Sequence, residues 1–345
     1  MPPTPNPRIV YAKPIPDGAW PVVGEHLVFD GARTIDLDSV PLHGGYLTRT
    51  LYLSPEPYMR VRMRDERIVD YSSPMKPGAP VVGMGVLQVL RSEKEGFAPG
   101  DLLYGGTQWE LYTVQPYIPD PQGAFPLHKY VSLAGAPGMT AYASWKKYAN
   151  ARKGETVFVS AGASAVGSMI IQFAKLDGLK VIASAGSDSK VEYMRSLGAD
   201  VPFNYKTAPY KEVLAKNGPI DIYYDNVGAE AFAAALANMA LFGRIIICGQ
   251  IAEYNVAAEK RFGIQNTDMI YKLNLTVSGF LTPYLADEYA PRFFADVPPM
   301  IAAGKLKSEE RIYRGIEAAP QAFVDMLKGG WDTANGKVVV SLVDE

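Results

Sequence analysis

The run Ser160-Ala161-Gly162-Ala163-Ser164-Ala165-Val166-Gly167 consists mostly of small residues and stands where an apolar strand gives way to an amphipathic helix. In that setting the backbone of Ser164, Ala165, Val166 and Gly167 can approach a pyrophosphate at the helix N-terminus, where the unpaired N–H groups and the helix dipole favour an anion. Against the pattern G-x-G-x-x-G, Ser164 replaces the middle glycine, and its hydroxyl can donate to a phosphate oxygen. Roughly 20 residues further on, an NAD site usually carries Asp or Glu for the ribose 2′-hydroxyl. Here the chain offers Ser184-Ala185-Gly186-Ser187, followed by Lys190 in the first turn of the next helix. No carboxylate at the strand end repels a 2′-phosphate and an ammonium group attracts one, so the expected cofactor is NADPH. Tyr205, after the third strand, is placed to cover the same phosphate.

What is missing bears on the reaction. The one cysteine, Cys248, cannot supply the ligands of a metal site, and the three histidines, His26, His43 and His128, lack metal-ligand spacing and read as ordinary surface or loop residues. No metal is expected. Hydride delivery to a carbon–carbon double bond already activated by a carbonyl then becomes the expected chemistry. Tyr52, Tyr58, Tyr71, Tyr284 and Tyr289 fall in or beside predicted loops and are candidates to wall an apolar cleft between domains. Arg60, Arg62 and Arg64 alternate as on a strand face, and Lys146 and Lys147 precede the first βα unit. With 34 basic against 36 acidic side chains and no recognition motif, these read as solvated or internally paired cations, and nucleic acid is not an expected partner.

The elements that must position these residues follow from the patterning. At 345 residues the chain favours two domains over one core. From Arg8 to about Tyr130, short β-branched and aromatic runs are cut by Pro and Gly, as in a small antiparallel barrel. Strands are expected at Tyr46 to Leu53, Val81 to Leu90, Asp101 to Tyr104 and Trp109 to Val114, with a turn at Ala98 to Asp101 and a loop from Tyr71 to Pro80. After Ala134 the pattern becomes alternating strands and amphipathic helices, which describes a parallel sheet. The strands are Thr156 to Ser160, Lys180 to Ser184, Asp200 to Phe203, Ile220 to Asp225, Arg244 to Cys248 and Leu275 to Phe280. Helices run from about Val166 to Gly178, Asp188 to Leu197 and Ala229 to Met239. The tail, with a helix over Ala319 to Lys328 and a strand over Lys337 to Leu342, is expected to return to the first domain. No apolar run approaches the roughly 20 residues needed to cross a bilayer. No export signal is read and one cysteine cannot form an internal disulfide, so a cytoplasmic enzyme is expected.

The chain resembles the zinc-independent medium-chain dehydrogenase/reductases, in the NADPH-dependent alkenal double-bond reductase and prostaglandin reductase branch. The carriers are Pro57-Tyr58-Met59-Arg60-Val61-Arg62-Met63, Pro137-Gly138-Met139-Thr140-Ala141-Tyr142, the turn above, Phe203-Asn204-Tyr205-Lys206, Asp225-Asn226-Val227-Gly228, Cys248-Gly249-Gln250-Ile251 with Tyr254-Asn255, Gly279-Phe280, and Asn335-Gly336-Lys337. The resemblance implies that Lys190 and Tyr205 hold the adenosine 2′-phosphate and that Asn226 and Cys248 line the dinucleotide crevice. It implies that Phe280 and Asn335 flank the nicotinamide, and that Tyr254 lies near the nicotinamide ribose and the substrate carbonyl. Tyr254 then binds cofactor and serves as the catalytic hydrogen-bond or proton donor. Tyr58, Tyr71 and Tyr284 are the candidate substrate contacts. A homodimer joined through Leu275 to Phe280 is also implied.

The expected fold is α/β: a doubly wound Rossmann sheet over residues 131–307, and a β-rich, GroES-like barrel domain built from residues 1–130 and 308–345. The expected function is NADPH-dependent reduction of the carbon–carbon double bond of α,β-unsaturated aldehydes and ketones. The alternatives are a quinone oxidoreductase of the same superfamily and a non-catalytic NADPH-binding protein.

Overall fold

The computed structural model describes residues 3–115, 127–329 and 336–343, which fall into two units. One comprises Met1–Val131, Arg311–Lys328 and Val338–Glu345, the other Ser132–Glu310 and Gly329–Lys337.

The second unit is a six-stranded parallel sheet with helices. In chain order its elements are β1 (Thr156–Val159), α1 (Ala165–Leu176), β2 (Lys180–Ala185), α2 (Asp188–Ser196), β3 (Val201–Asn204), α3 (Tyr210–Asn217), β4 (Ile220–Asp225), α4 (Ala229–Leu236), β5 (Met239–Ile247), β6 (Thr276–Gly279) and α5 (Pro283–Ala302). The strand order is β3-β2-β1-β4-β5-β6, every neighbour parallel. The short apolar runs follow from burial on both faces. Val157, Val181, Ala183, Ile222 and Ile246 enter one core, while Phe158, Ile182, Tyr223 and Ile245 enter the other. The order reverses between β1 and β4, and in such sheets a ligand binds at the carboxyl ends of the strands flanking that reversal.

The first unit is antiparallel. Tyr46–Ser54 pairs with Val82–Ser92 and Tyr112–Gln115, Val82–Ser92 pairs with Leu102–Gln108, and the strand Lys337–Ser341 from the chain's end pairs Val340 with Leu53. Its core gathers Tyr11, Tyr46, Leu47, Leu53 and Trp109, and the Trp109 ring meets Phe323 of the helix Ala319–Lys328 edge-on at 6.3 Å. The fold class is the one expected.

Several elements differ from the sequence reading. The strand expected from Trp109 starts at Tyr112, because Glu110 turns its carboxyl into the interior to accept from Thr113 Oγ1 at 2.9 Å. Met239 opens β5 instead of ending α4. Arg60 and Arg62 lie in the short helix Tyr58–Arg62, not on a strand. Arg60 and Arg64 are buried, with their guanidiniums on the carbonyls of Ala19, Val61 and Ile68. His26 is buried too, its Nδ1 accepting from Val22 N at 3.1 Å, so it is not the surface residue expected. Burial of the imidazole holds its pKa below the usual value.

The largest departure is α5, which carries Tyr284 and Tyr289 where loops were expected. Pro291, Pro298 and Pro299 read as helix breakers, since each lacks a donor. The helix persists because Leu285, Tyr289, Phe293 and Val297 recur every fourth residue and are buried in the core. Phe293 meets Tyr142 at 5.7 Å. Among the described residues, no helix is long and apolar enough to cross a membrane.

Candidate active site

The carboxyl ends of β1, β2 and β4 each deliver a different group of polar atoms. After β1, Ala161 takes a left-handed φ of 49° and reverses the chain toward α1. Ser164 caps the helix: its backbone is extended, and its Oγ accepts from Gly167 N at 3.1 Å. A side chain at 167 would meet the Ala161 carbonyl at 2.3 Å, so only glycine lets α1 start this close to the turn. Ala165 and Val166 open α1 partly exposed, with the N–H groups that a helix leaves without internal partners. The Ser164 hydroxyl thus spends its oxygen on the helix, and its proton is what it has to offer a ligand.

At the end of β2 the structure brings Gly186 and Tyr205 together. The Tyr205 hydroxyl lies 2.9 Å from the point a Cβ on Gly186 would occupy, and its ring stacks on Tyr210 at 5.5 Å. Lys190 sits in the first turn of α2, where its Nζ donates to the Gly329 carbonyl at 3.1 Å. The same turn holds Asp188, whose Oδ1 accepts from Asn204 Nδ2 at 2.9 Å. The sequence reading passed over this carboxylate because it follows the strand end by three residues.

At the end of β4 the structure brings Asn226 against the turn after β1. Asn226 N donates to Ser160 Oγ at 2.9 Å and its Nδ2 to the Ser160 carbonyl at 2.7 Å. Cys248 N donates to the Asp225 carbonyl at 2.8 Å, setting the end of β5 beside the end of β4. Cys248 is partly exposed, and burial of its sulfur pushes the thiol up to about 12. Tyr254 follows in the same segment, its hydroxyl 3.3 Å from the point a Cβ on Gly249 would occupy. Phe280, just past β6, packs on Tyr148 at 5.9 Å and borders the core. Asn335 lies outside the described residues.

The candidate substrate tyrosines separate. Tyr58 and Tyr71 belong to the first unit and lie close enough to act on one another. Burial, then the nearby Glu56, pushes the Tyr58 phenol up to about 12. Tyr71 is half exposed, and Tyr284 stands 83% exposed on α5 of the second unit. Among the described residues, no three or more His, Cys, Asp or Glu side chains come together in a way that could hold a metal ion.

Two family profiles match the chain, one described as zinc-binding dehydrogenase over residues 165–295 and one as the N-terminal domain of oxidoreductase over residues 36–120. The 2-alkenal reductase (NADP(+)-dependent) of Nicotiana tabacum is 40% identical over 82% of this chain and 84% of its own. The (+)-pulegone reductase of Mentha piperita is 37% identical over 87% and 89%. Among solved structures, CurA from Vibrio vulnificus in complex with NADPH superposes with a TM-score of 0.86 at 30% identity, covering 98% of this chain and all of that one. The chain belongs to the alkenal and prostaglandin reductase branch of the medium-chain dehydrogenase/reductases.

The residues present fit the phosphorylated nicotinamide dinucleotide of this family. The turn after β1 has no room for a side chain at Gly167, Tyr205 closes over Gly186, and a buried Asp225 carboxylate oxygen lies without a partner among the described residues at the end of β4. Ser160 and Asp225 are the polar residues to which the sequence reading assigned no role. The available signal was an aspartate closing the apolar and aromatic run Ile222-Tyr223-Tyr224.

Proposed function

We propose that this oxidoreductase uses NADPH to reduce the carbon–carbon double bond of α,β-unsaturated aldehydes and ketones. Bound NADPH supplies a hydride from its nicotinamide to the β-carbon of the substrate. Lys190 and Tyr205 hold the 2′-phosphate, while Ser164, Ala165, Val166 and Gly167 approach the pyrophosphate. Gly186, without a side chain, lets the Tyr205 hydroxyl come close at the adenosine end, and Asn226, Cys248, Phe280 and Asn335 line the crevice. The Tyr254 phenol donates a hydrogen bond to the substrate carbonyl oxygen as negative charge develops there, and it or solvent protonates the α-carbon. Tyr58, Tyr71 and Tyr284 supply apolar walls for the conjugated carbonyl. No metal takes part.

The observation that carries this reading is the joint placement of Gly186, Tyr205 and Lys190 around the end of β2, together with close identity to reductases of this chemistry. A homodimer and a cytoplasmic location complete the proposal. Supporting the dimer, β6 is an edge strand of the sheet, and Leu241, Phe242, Tyr271 and Val277 expose apolar surface in the neighbouring segments. Gel filtration at the monomer volume would remove the dimer.

The reaction is tested by a panel of 2-alkenals, cyclic enones and a simple benzoquinone, following NADPH absorbance and analysing products. The expected result is a saturated carbonyl from the enals and enones. Allylic alcohols, or turnover with the quinone alone, would refute it.

A further inference from the structure

Asp225 is fully buried at the end of β4, and its two carboxylate oxygens are treated differently. Oδ1 accepts from the Tyr223 hydroxyl at 2.6 Å, Gly228 N at 2.9 Å, Val227 N at 3.0 Å and Ser160 Oγ at 3.2 Å. Oδ2 meets no donor among the described residues. Burial pushes the Asp225 pKa up, against the pull of its donors. A buried carboxylate is a costly device for packing alone.

The network it centres on joins three separate segments. Through Ser160 Oγ it reaches Asn226, whose backbone N–H donates to that same oxygen while its side-chain amide donates to the Ser160 carbonyl. Through the N–H groups of Val227 and Gly228 it sets the entry to α4, where Gly228 has a φ of 75°. Its own carbonyl accepts from Cys248 N and Gly249 N, the segment that leads to Tyr254. The backbone N–H and the side-chain Nδ2 of Asn226 are thus both held by Ser160, and Ser160 Oγ is held by Asp225.

We infer that Asp225 is a positioning residue for the dinucleotide site, holding Asn226 through Ser160 so that the crevice is formed before NADPH arrives. This inference rests on the NADPH reading above. It requires the bonds to Oδ1 and not the negative charge, since Oδ2 has no donor among the described residues.

The test is fluorescence titration of the ligand-free protein with NADPH, and separately with adenosine 2′,5′-bisphosphate, which carries the phosphate end held by Lys190 and Tyr205 but no nicotinamide. Ser160→Ala and Asp225→Ala are expected to weaken NADPH at least about tenfold, as loss of a partner in a buried hydrogen-bond network does. Binding of the bisphosphate should be unchanged. Asp225→Asn, which keeps an oxygen at Oδ1, is expected to restore NADPH affinity to within about threefold of the wild type. If Asp225→Ala does not fold, Ser160→Ala decides, because it leaves the carboxylate in place. Equal weakening of both ligands, wild-type NADPH affinity in Ser160→Ala, or an Asp225→Asn protein that binds as poorly as Ser160→Ala would overturn the inference. Wild-type protein that binds the bisphosphate and NADPH normally, with unaffected variants, overturns positioning alone; wild-type protein that binds neither overturns the functional reading as well.

Discussion

The two ends of the parallel sheet are built on opposite principles. At the amino ends of the strands, charged groups are matched. Arg244 clamps Glu155 with two nitrogens at 2.7 and 2.8 Å and also donates to the carbonyls of Ala149 and Asn150. Asp221 accepts from Thr156 N, and Asp200 takes both Lys175 and Val181 N. At the carboxyl ends, one Asp225 oxygen has no partner among the described residues, and Ala161 and Ala229 sit at left-handed φ values of 49° and 48° that cost an alanine. The acids titrate in opposite directions as a result. Burial alone would raise Glu155, but Arg244 and the Arg152 amide outweigh it and hold the carboxyl low. Asp200 is likewise lowered, against its burial, by Lys175 and Val181 N, whereas burial wins at Asp225. One end holds the sheet together; the other stays incompletely satisfied in the way expected of a ligand site.

This contrast breaks if substitutions of the polar groups at the carboxyl ends change stability more than ligand binding or turnover, or if those at the amino ends do the reverse. The largest expected effect is at Tyr254. Tyr254→Phe should lower kcat for an enone about a hundredfold, the lower range of general acid catalysis, while the thermal midpoint stays put. Full turnover in that variant would remove the donor role.

Next comes Glu155→Gln, expected to cost about 2 kcal/mol in urea unfolding at pH 7 with kinetic constants unchanged. The sign is checkable. Because the folded Glu155 pKa lies below its unfolded value, the stabilisation is complete above that unfolded value and is lost as pH falls through the folded one. The gap between wild type and variant should therefore close on acidification, and a gap that widened would contradict the ion-pair account. Asp225, with its raised pKa, contributes in the other direction, favouring the fold below the ordinary aspartate value and losing that contribution as pH rises through the folded one.

Lys190→Ala should weaken NADPH about tenfold and leave NADH nearly untouched, as measured by paired titrations. An equal effect on both would assign Lys190 to Gly329 and not to a phosphate. The smallest expected effect is Ala161→Gly, which relieves a left-handed alanine and should raise stability by roughly 0.5 to 1 kcal/mol.

The legibility of the molecule followed the same divide between local and long-range order. The parallel sheet was readable because short, mostly apolar strands alternate with amphipathic helices along the chain, and at α1 the cap, Ser164, is local as well. The turn after β1 and the place of Lys190 in the first turn of α2 were readable for the same reason: each is set by position along one segment. The helix Pro283–Ala302 was not, because three prolines outweigh a four-residue apolar period when the packing partners are out of view. The buried roles of Arg60, Arg64 and His26 were hidden since their acceptors and donors are backbone groups that no residue type announces. Asp225 was hidden for a related reason. Its turn partners Val227 and Gly228 are local, but Ser160 lies 65 residues away, and the register of β1 beside β4 brings it to the carboxylate.

The most direct measurement is isotope transfer. With NADPH carrying deuterium at the transferable position of the nicotinamide and a cyclic enone as substrate, the account predicts a saturated ketone with the label on its β-carbon. Label on the carbonyl carbon of an allylic alcohol, or a product without label, would contradict it.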